Sequence, residues 1–148
     1  KMAITTNAIT NSFKEDLLQG TQVFAAGAGN TFKLALYTSA ATIGADTTSY
    51  AVGIAGQVGD TGSYAAGGGA LVTALVSVNG TTAFVDYNDL SFTGVTLTAA
   101  GALIYNDTQA GDPSVCVLDF GGDKTATAGT FTIQFPAAND TQAIIRIS

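Results

Sequence analysis

The candidate catalytic or metal-binding side chains of this chain are carboxylates and one thiol. The sequence has eleven acidic residues, no histidine and a single cysteine, Cys116. Without imidazole there is no Ser–His or Cys–His pair, no histidine metal ligand and no base that titrates near neutral pH. Cys116 stands between Val115 and Val117 in a strand-like run, so we expect a buried apolar thiol. These residue types point away from an enzyme.

The acidic residues are mostly placed where aspartate serves the backbone. They fall in turn sequences such as Asn88-Asp89, Asn106-Asp107 and Asn139-Asp140, which favour Asx turns. Asp119-Phe-Gly-Gly-Asp123 could offer two carboxylates to calcium, but it lacks the dense Asp/Asn spacing of a calcium loop. Gly67-Gly-Gly69 is not followed by the Gly-Lys-Ser/Thr of a phosphate-binding loop. We therefore predict no catalytic residue, no cofactor and no metal.

Charge and composition narrow the choice of partners. The net charge is −6, and only 11% of the residues are charged while 47% are apolar. The five basic residues, Lys1, Lys14, Lys33, Lys124 and Arg146, are scattered along the sequence. Nucleic acids and anionic membrane surfaces attract clustered basic residues, and no apolar run has the ~18 residues of a membrane span. We predict neither a nucleic-acid nor a membrane partner.

One short helix is predicted near the start of the chain, over residues 10–19. Ile9, Phe13 and Leu17 share one helical face, and Gly20 suits the C′ position. Ser12 and Glu15 have the spacing of a capping box, and Thr10 is the rival N-cap. A helix this short must dock its apolar face on a sheet or on a partner.

The rest of the sequence reads as β-strands separated by turns. Asn79-Gly80 predicts a type I′ hairpin turn, and the run before it, Ala70–Val78, is apolar on both faces and predicts a central strand. The other predicted strands are Thr31–Tyr37, Thr81–Tyr87, Ser91–Ala99, Gly101–Asn106, Ser114–Phe120, Gly129–Pro136 and Ala143–Ile147. Eight or so short strands with one helix predict a mainly β chain: an antiparallel, jelly-roll-like β-sandwich in one domain over residues 9–148.

Two segments fall outside this pattern and are the candidates for partner contacts. Residues 1–8 predict an extended N-terminal arm, of the kind that clasps a neighbour in assembling proteins. Thr38–Gly69 is a long glycine-rich stretch that either contains short strands around Tyr50 and Ala65 or is a functional loop. In a functional loop we expect exposed tyrosines, since tyrosine is a common contact residue. The predicted interface residues are Met2, Ile4, Thr5 and Asn7 in the arm, with Tyr50 and Tyr64 in the loop.

Several segments together resemble a family of small virion structural proteins of tailed bacteriophages. They are Ile4-Thr-Thr-Asn-Ala-Ile-Thr-Asn-Ser-Phe-Lys14, Phe32-Lys-Leu-Ala-Leu-Tyr-Thr-Ser39, Tyr64-Ala-Ala-Gly-Gly68, Thr82-Ala-Phe-Val-Asp86, Gly101-Ala-Leu-Ile-Tyr-Asn106, Val117-Leu-Asp-Phe-Gly-Gly-Asp-Lys124 and Gly129-Thr-Phe-Thr-Ile-Gln-Phe-Pro136. The resemblance spans nearly the whole chain. It implies a non-enzymatic component of a phage particle, made in the host bacterial cytoplasm and located in the virion.

Within that class we expect a capsid decoration, or cement, protein. It would bind the outer shell of the major capsid protein and associate with itself, and a homotrimer at threefold positions is the expected geometry. The alternative is a receptor- or glycan-binding module of a head or tail fibre, whose ligand would meet the loop tyrosines.

Overall fold

The chain folds into two antiparallel sheets and one short helix, in a computed structural model that describes residue 4, residues 7–51 and residues 54–148. In chain order the elements are β1 (Ala8–Ile9), α1 (Asn11–Gln19), β2 (Phe32–Tyr37), β3 (Gly69–Leu71), β4 (Thr73–Asn79), β5 (Thr82–Tyr87), β6 (Leu90–Asn106), β7 (Ser114–Ile133) and β8 (Ile145–Ile147). The larger sheet has the order β1-β7-β6-β2-β3 and the smaller one β4-β5-β8. The predicted mainly β class with one short helix is confirmed, whereas this strand order does not establish a jelly roll.

A long hairpin of β6 and β7 forms the centre of the larger sheet. The four predicted strands between Ser91 and Pro136 merge into these two strands, which pair from Leu90–Ile133 to Tyr105–Ser114. The pairing shifts between Ala99, which faces Lys124, and Gly101, which faces Asp119. Residues 120–123 are therefore an insertion within β7, where Gly121 and Gly122 both have positive φ.

The helix begins and ends near the predicted positions, but the predicted capping box does not form, and no described side chain caps the N-terminus. Thr10 is the N-cap residue, and Gly20 ends the helix in the left-handed conformation with φ 74°. The Ser12 hydroxyl instead lies 3.3 Å from the Ser114 hydroxyl, and Glu15 accepts a hydrogen bond from Gln19. Within the described ranges, no helix is long and apolar enough to span a membrane.

The predicted central strand over residues 70–78 is divided between the two sheets. The chain leaves the larger sheet after β3 and enters the smaller sheet at β4, where it occupies an edge. The expectation of a central strand is therefore wrong, because both pieces lie at sheet edges. The hairpin that follows is confirmed, with Asn79 paired to Thr82. Of its two central residues only Gly80 has positive φ, as in a type II′ rather than a type I′ turn.

The larger sheet is buried on both faces where β2, the end of β6 and the start of β7 lie side by side. On one face Leu34, Ile104 and Cys116 lie side by side and join the core shared with α1 and the smaller sheet. On the other face Ala35, Leu103 and Val117 form a second core with Ala41, Ile43 and Tyr50. The glycine-rich connection therefore packs against the sheet, with Tyr50 in the second core and Tyr64 in the first.

Candidate interaction surface

The two loop tyrosines that we expected at the surface are buried in the chain's own core. Tyr50 is 7% exposed and Tyr64 is 1% exposed. The Tyr50 ring stacks on Tyr105 with their centroids 4.4 Å apart, and the Tyr64 hydroxyl accepts a hydrogen bond from the Leu36 N–H at 2.9 Å. The expectation of exposed tyrosines is wrong, because both rings hold the loop against the larger sheet.

The N-terminal arm is held by the protein's own sheet wherever the structure describes it. Ile4 is buried, at 7% exposure. Its side chain packs against Gly101, so closely that a side chain at position 101 would collide with it. Asn7 is exposed, and its side-chain oxygen accepts a hydrogen bond from the Asp119 N–H at 2.7 Å. Ala8 pairs with Val117 as the first residue of β1. Met2 and Thr5, the other predicted arm contacts, lie outside the described residues.

The carboxylates and the thiol mostly lie apart from one another in the described part of the chain. No group of three or more Cys, Asp or Glu side chains there could hold a metal ion. The Asp119 carboxylate accepts a hydrogen bond from the Gly121 N–H at 2.9 Å and so serves the backbone of the β7 insertion. Cys116 is buried, as predicted from the sequence, and burial raises the pKa of its thiol to about 12. A thiol with so high a pKa is unreactive near neutral pH.

The most unusual surface is an apolar strip on the smaller sheet. The register places Val78 beside Ala83, and Ala83 beside Ile147, across three strands. Val76 lies on the same face, two residues before Val78, and pairs with Val85. Val76 is 50% exposed, Val78 66% and Ile147 47%, and Ala83 is also exposed. We call these four residues the apolar strip.

The strip continues a face that is buried elsewhere. Val85 and Ile145 lie on the same face of the sheet as Val76 and belong to the main core. An apolar groove of about 160 Å³ separates this face from α1 and the segment after it, and Phe13, Leu17 and Phe24 line its other side. Val76, Ala83 and Ile147 of the strip line the same open groove, so the helix covers this face only in part and leaves apolar side chains exposed. Contiguous apolar surface of this kind marks interaction sites.

The charged side chains of the smaller sheet lie on its opposite face. Arg146 pairs with Phe84, one residue away from the strip positions in each strand, and its guanidinium donates a hydrogen bond to the Thr141 carbonyl oxygen. Asp86 pairs with Leu75 on that same face, and burial raises the pKa of its carboxyl. Because successive side chains of a strand alternate between faces, the strip itself is uncharged.

Sequence reasoning missed the strip, although one signal was present. The run Ala70–Val78 is rich in apolar residues, and this pattern was read as a strand buried on both faces. The same composition fits an edge strand whose apolar side chains meet a partner. Only the order of strands in the sheet distinguishes a central strand from an edge strand. That order depends on pairing with the distant segments Thr82–Tyr87 and Ile145–Ile147.

Comparison of the chain with protein-family models, with curated proteins and with solved structures finds no match.

Proposed function

We propose that this protein is a non-enzymatic structural component of a bacteriophage virion, and that it decorates the capsid by binding the outer shell of the major capsid protein. The single observation that carries the proposal is the uncovered apolar strip. The resemblance noted from the sequence supplies the kind of particle, and the strip supplies a surface by which the protein would attach to it.

The chemistry of the strip limits the partner that it fits. Val76, Val78 and Ile147 are each roughly half exposed, so a partner that covers them gains on the order of 1 kcal/mol for each side chain. The strip contains no charge, whereas the whole chain carries −6. An apolar, uncharged surface patch of another protein suits it, and a polyanion does not.

The binding mode proposed here replaces the contacts expected from the sequence. Tyr50 and Tyr64 are buried and Ile4 packs on the chain's own sheet, so none of the three is available to a partner in this conformation. The alternative glycan-binding function loses its support for the same reason. All five tyrosines of the chain are buried, and the large hydrophobic side chains exposed in the described residues are aliphatic.

The test is co-sedimentation of the purified protein with phage shells that lack it. Ala83→Asp places a charge in the middle of the strip on the central strand of the smaller sheet. Burying that carboxylate without a partner costs several kcal/mol, so we expect binding to shells to be lost while far-UV circular dichroism is unchanged. Thr127→Asp, at an exposed position of β7, is the matched control and should bind like the wild type.

Two results would argue against the proposal. One is Ala83→Asp protein that binds shells as well as the wild type does. The other is a labelled protein found only at the tail in images of the particle, because decoration requires many copies spread over the shell.

A further inference from the structure

The turn between β4 and β5 contains a reactive pair of residues that the proposed function does not use. Asn79 is the only asparagine of the chain that is followed by glycine. Asn79 and Gly80 are both exposed, and among the described residues no atom beyond the chain neighbours lies within 4 Å of a Cβ built on Gly80. We propose that Asn79 is a modification site, at which the side-chain amide is lost by spontaneous deamidation in the folded protein.

The reaction uses two adjacent groups of the turn together with water. The backbone nitrogen of Gly80 gives up its proton and attacks the side-chain carbonyl carbon of Asn79, Cγ, so that an N–Cγ bond forms. The Cγ–Nδ2 bond breaks, and the amide nitrogen takes up a proton and leaves as ammonia. The cyclic succinimide that remains is opened by water at either of its carbonyl carbons. The products are aspartate or isoaspartate, and the reaction needs no oxidant or reductant.

The geometry of the turn leaves the attacking nitrogen free. Asn79 and Thr82 are the last paired residues of the hairpin, and the hydrogen bond of such a turn joins these flanking residues rather than the central ones. The N–H of Gly80 therefore lies outside the ladder. Gly80 also lacks a Cβ, the atom that hinders attack by the backbone nitrogen of other residues.

Asn106 has the opposite setting and provides an internal reference. Its side chain is buried, and its amide nitrogen donates hydrogen bonds to the side-chain oxygens of Gln22 and Asn30 at 3.0 and 2.9 Å. The backbone nitrogen that would attack it belongs to Asp107, whose N–H donates to the Thr31 carbonyl oxygen at 2.9 Å. Because both reacting groups are held at this position, we expect Asn106 to keep its amide.

Loss of the Asn79 amide also removes a contact between the turn and the segment that leads to β8. The amide nitrogen donates a hydrogen bond to the Asp140 carboxylate at 2.9 Å. In the aspartate product an oxygen replaces this donor, so two carboxylates face each other and one negative charge is added to the net charge of −6. Asn79 shares a face of β4 with Ser77, opposite the apolar strip, so this modification is independent of the proposed binding to shells.

Peptide mass spectrometry of protein kept at pH 9 measures the reaction. Asn79 should convert in the native protein at a rate within about tenfold of that in the urea-unfolded chain, because the turn leaves the Gly80 nitrogen outside the ladder. Asn106 should keep its amide in the native protein. The proposal is overturned if native Asn79 converts more slowly than this limit, or if native Asn106 converts as fast as Asn79.

Hydrogen exchange of the backbone amides in residues 137–148 measures the consequence. Asn79→Asp reproduces the aspartate product and should raise exchange there by about threefold, because two exposed like charges weaken the local contact. Asp140→Asn added to Asn79→Asp restores one amide and one carboxylate in reversed positions, and should return exchange to the wild-type level. The consequence is refuted if Asn79→Asp exchanges like the wild type, or if the double variant exchanges as fast as Asn79→Asp.

Discussion

Removing one hydroxyl group from each of two buried tyrosines should change stability in opposite directions. β3 pairs with β2 only as far as Leu34, so the Leu36 N–H has no strand partner on that side. The Tyr64 hydroxyl takes its place and accepts this N–H at 2.9 Å in a buried position. The Tyr37 hydroxyl, at 0% exposure, has no hydrogen-bond partner among the described atoms.

The expected changes in the free energy of unfolding follow from whether each hydroxyl group makes a hydrogen bond. Tyr64→Phe leaves a buried N–H unpaired, which costs about 1–3 kcal/mol. Tyr37→Phe removes a buried hydroxyl that makes no hydrogen bond, so we expect a change between zero and about 1 kcal/mol of stabilisation. At this chain length, each kcal/mol corresponds to a shift of about 2–4 °C in Tm.

Urea unfolding followed by far-UV circular dichroism measures both variants, since the chain has no tryptophan. The slope of the free energy against urea concentration should be unchanged, so that the midpoints report stability alone. The reasoning is refuted if Tyr37→Phe destabilises as much as Tyr64→Phe, or if Tyr64→Phe lies within about 0.5 kcal/mol of the wild type, which is the range of ordinary surface substitutions.

Three further predictions concern the glycine-rich loop, the thiol and alkaline pH. Gly68→Ala should lower the free energy of unfolding in urea by more than about 4 kcal/mol, because Gly68 has φ +87° and an added Cβ would lie 1.7 Å from the Leu34 carbonyl oxygen. Gly20 also has a positive φ, +74°, but open space around it. Gly20→Ala should therefore lower the free energy of unfolding by only about 1–2 kcal/mol. Cys116 should not react with a thiol reagent at pH 8 until urea unfolds the protein, since burial raises its pKa to about 12; rapid labelling of the native protein would contradict this. Burial also raises the pKa of Tyr64 from 10.0 to about 12, so between these values the unfolded chain releases a proton that the folded chain retains, and stability should fall as pH rises. The urea midpoint should therefore be lower at pH 11 than at pH 9, and Tyr64→Phe should show a smaller fall; an equal fall would exclude Tyr64 as a cause.

The sequence predicted those elements whose signals are local. The helix is set by its apolar spacing and by Gly20, which adopts the left-handed conformation that ends it. The β4–β5 hairpin is set by Gly80, where the backbone has positive φ. β2 follows from the alternating run Phe32–Tyr37. These features depend on residues a few positions apart, and the antiparallel, mainly β class follows from their sum.

The burial of side chains was harder to predict when it depended on a distant segment. Tyr50 and Tyr64 stand among glycines in a long connection, a setting typical of an exposed loop. They are buried because the connection folds back over the larger sheet, where Tyr105 and Leu36 receive them. No local pattern distinguishes a loop that covers a sheet from one that extends into solvent.

The candidate site shows the same division. The apolar character and strand conformation of residues 70–78 could be predicted, because side-chain type and period are properties of the segment. The division of the run between two sheets, the edge position of β4 and the exposure of the strip beside the groove follow from the pairing of distant segments. The neighbours of a strand depend on pairing with segments that are distant in the sequence. The same apolar residues are therefore buried in the core when the strand is central, and are exposed to a partner when it lies at an edge.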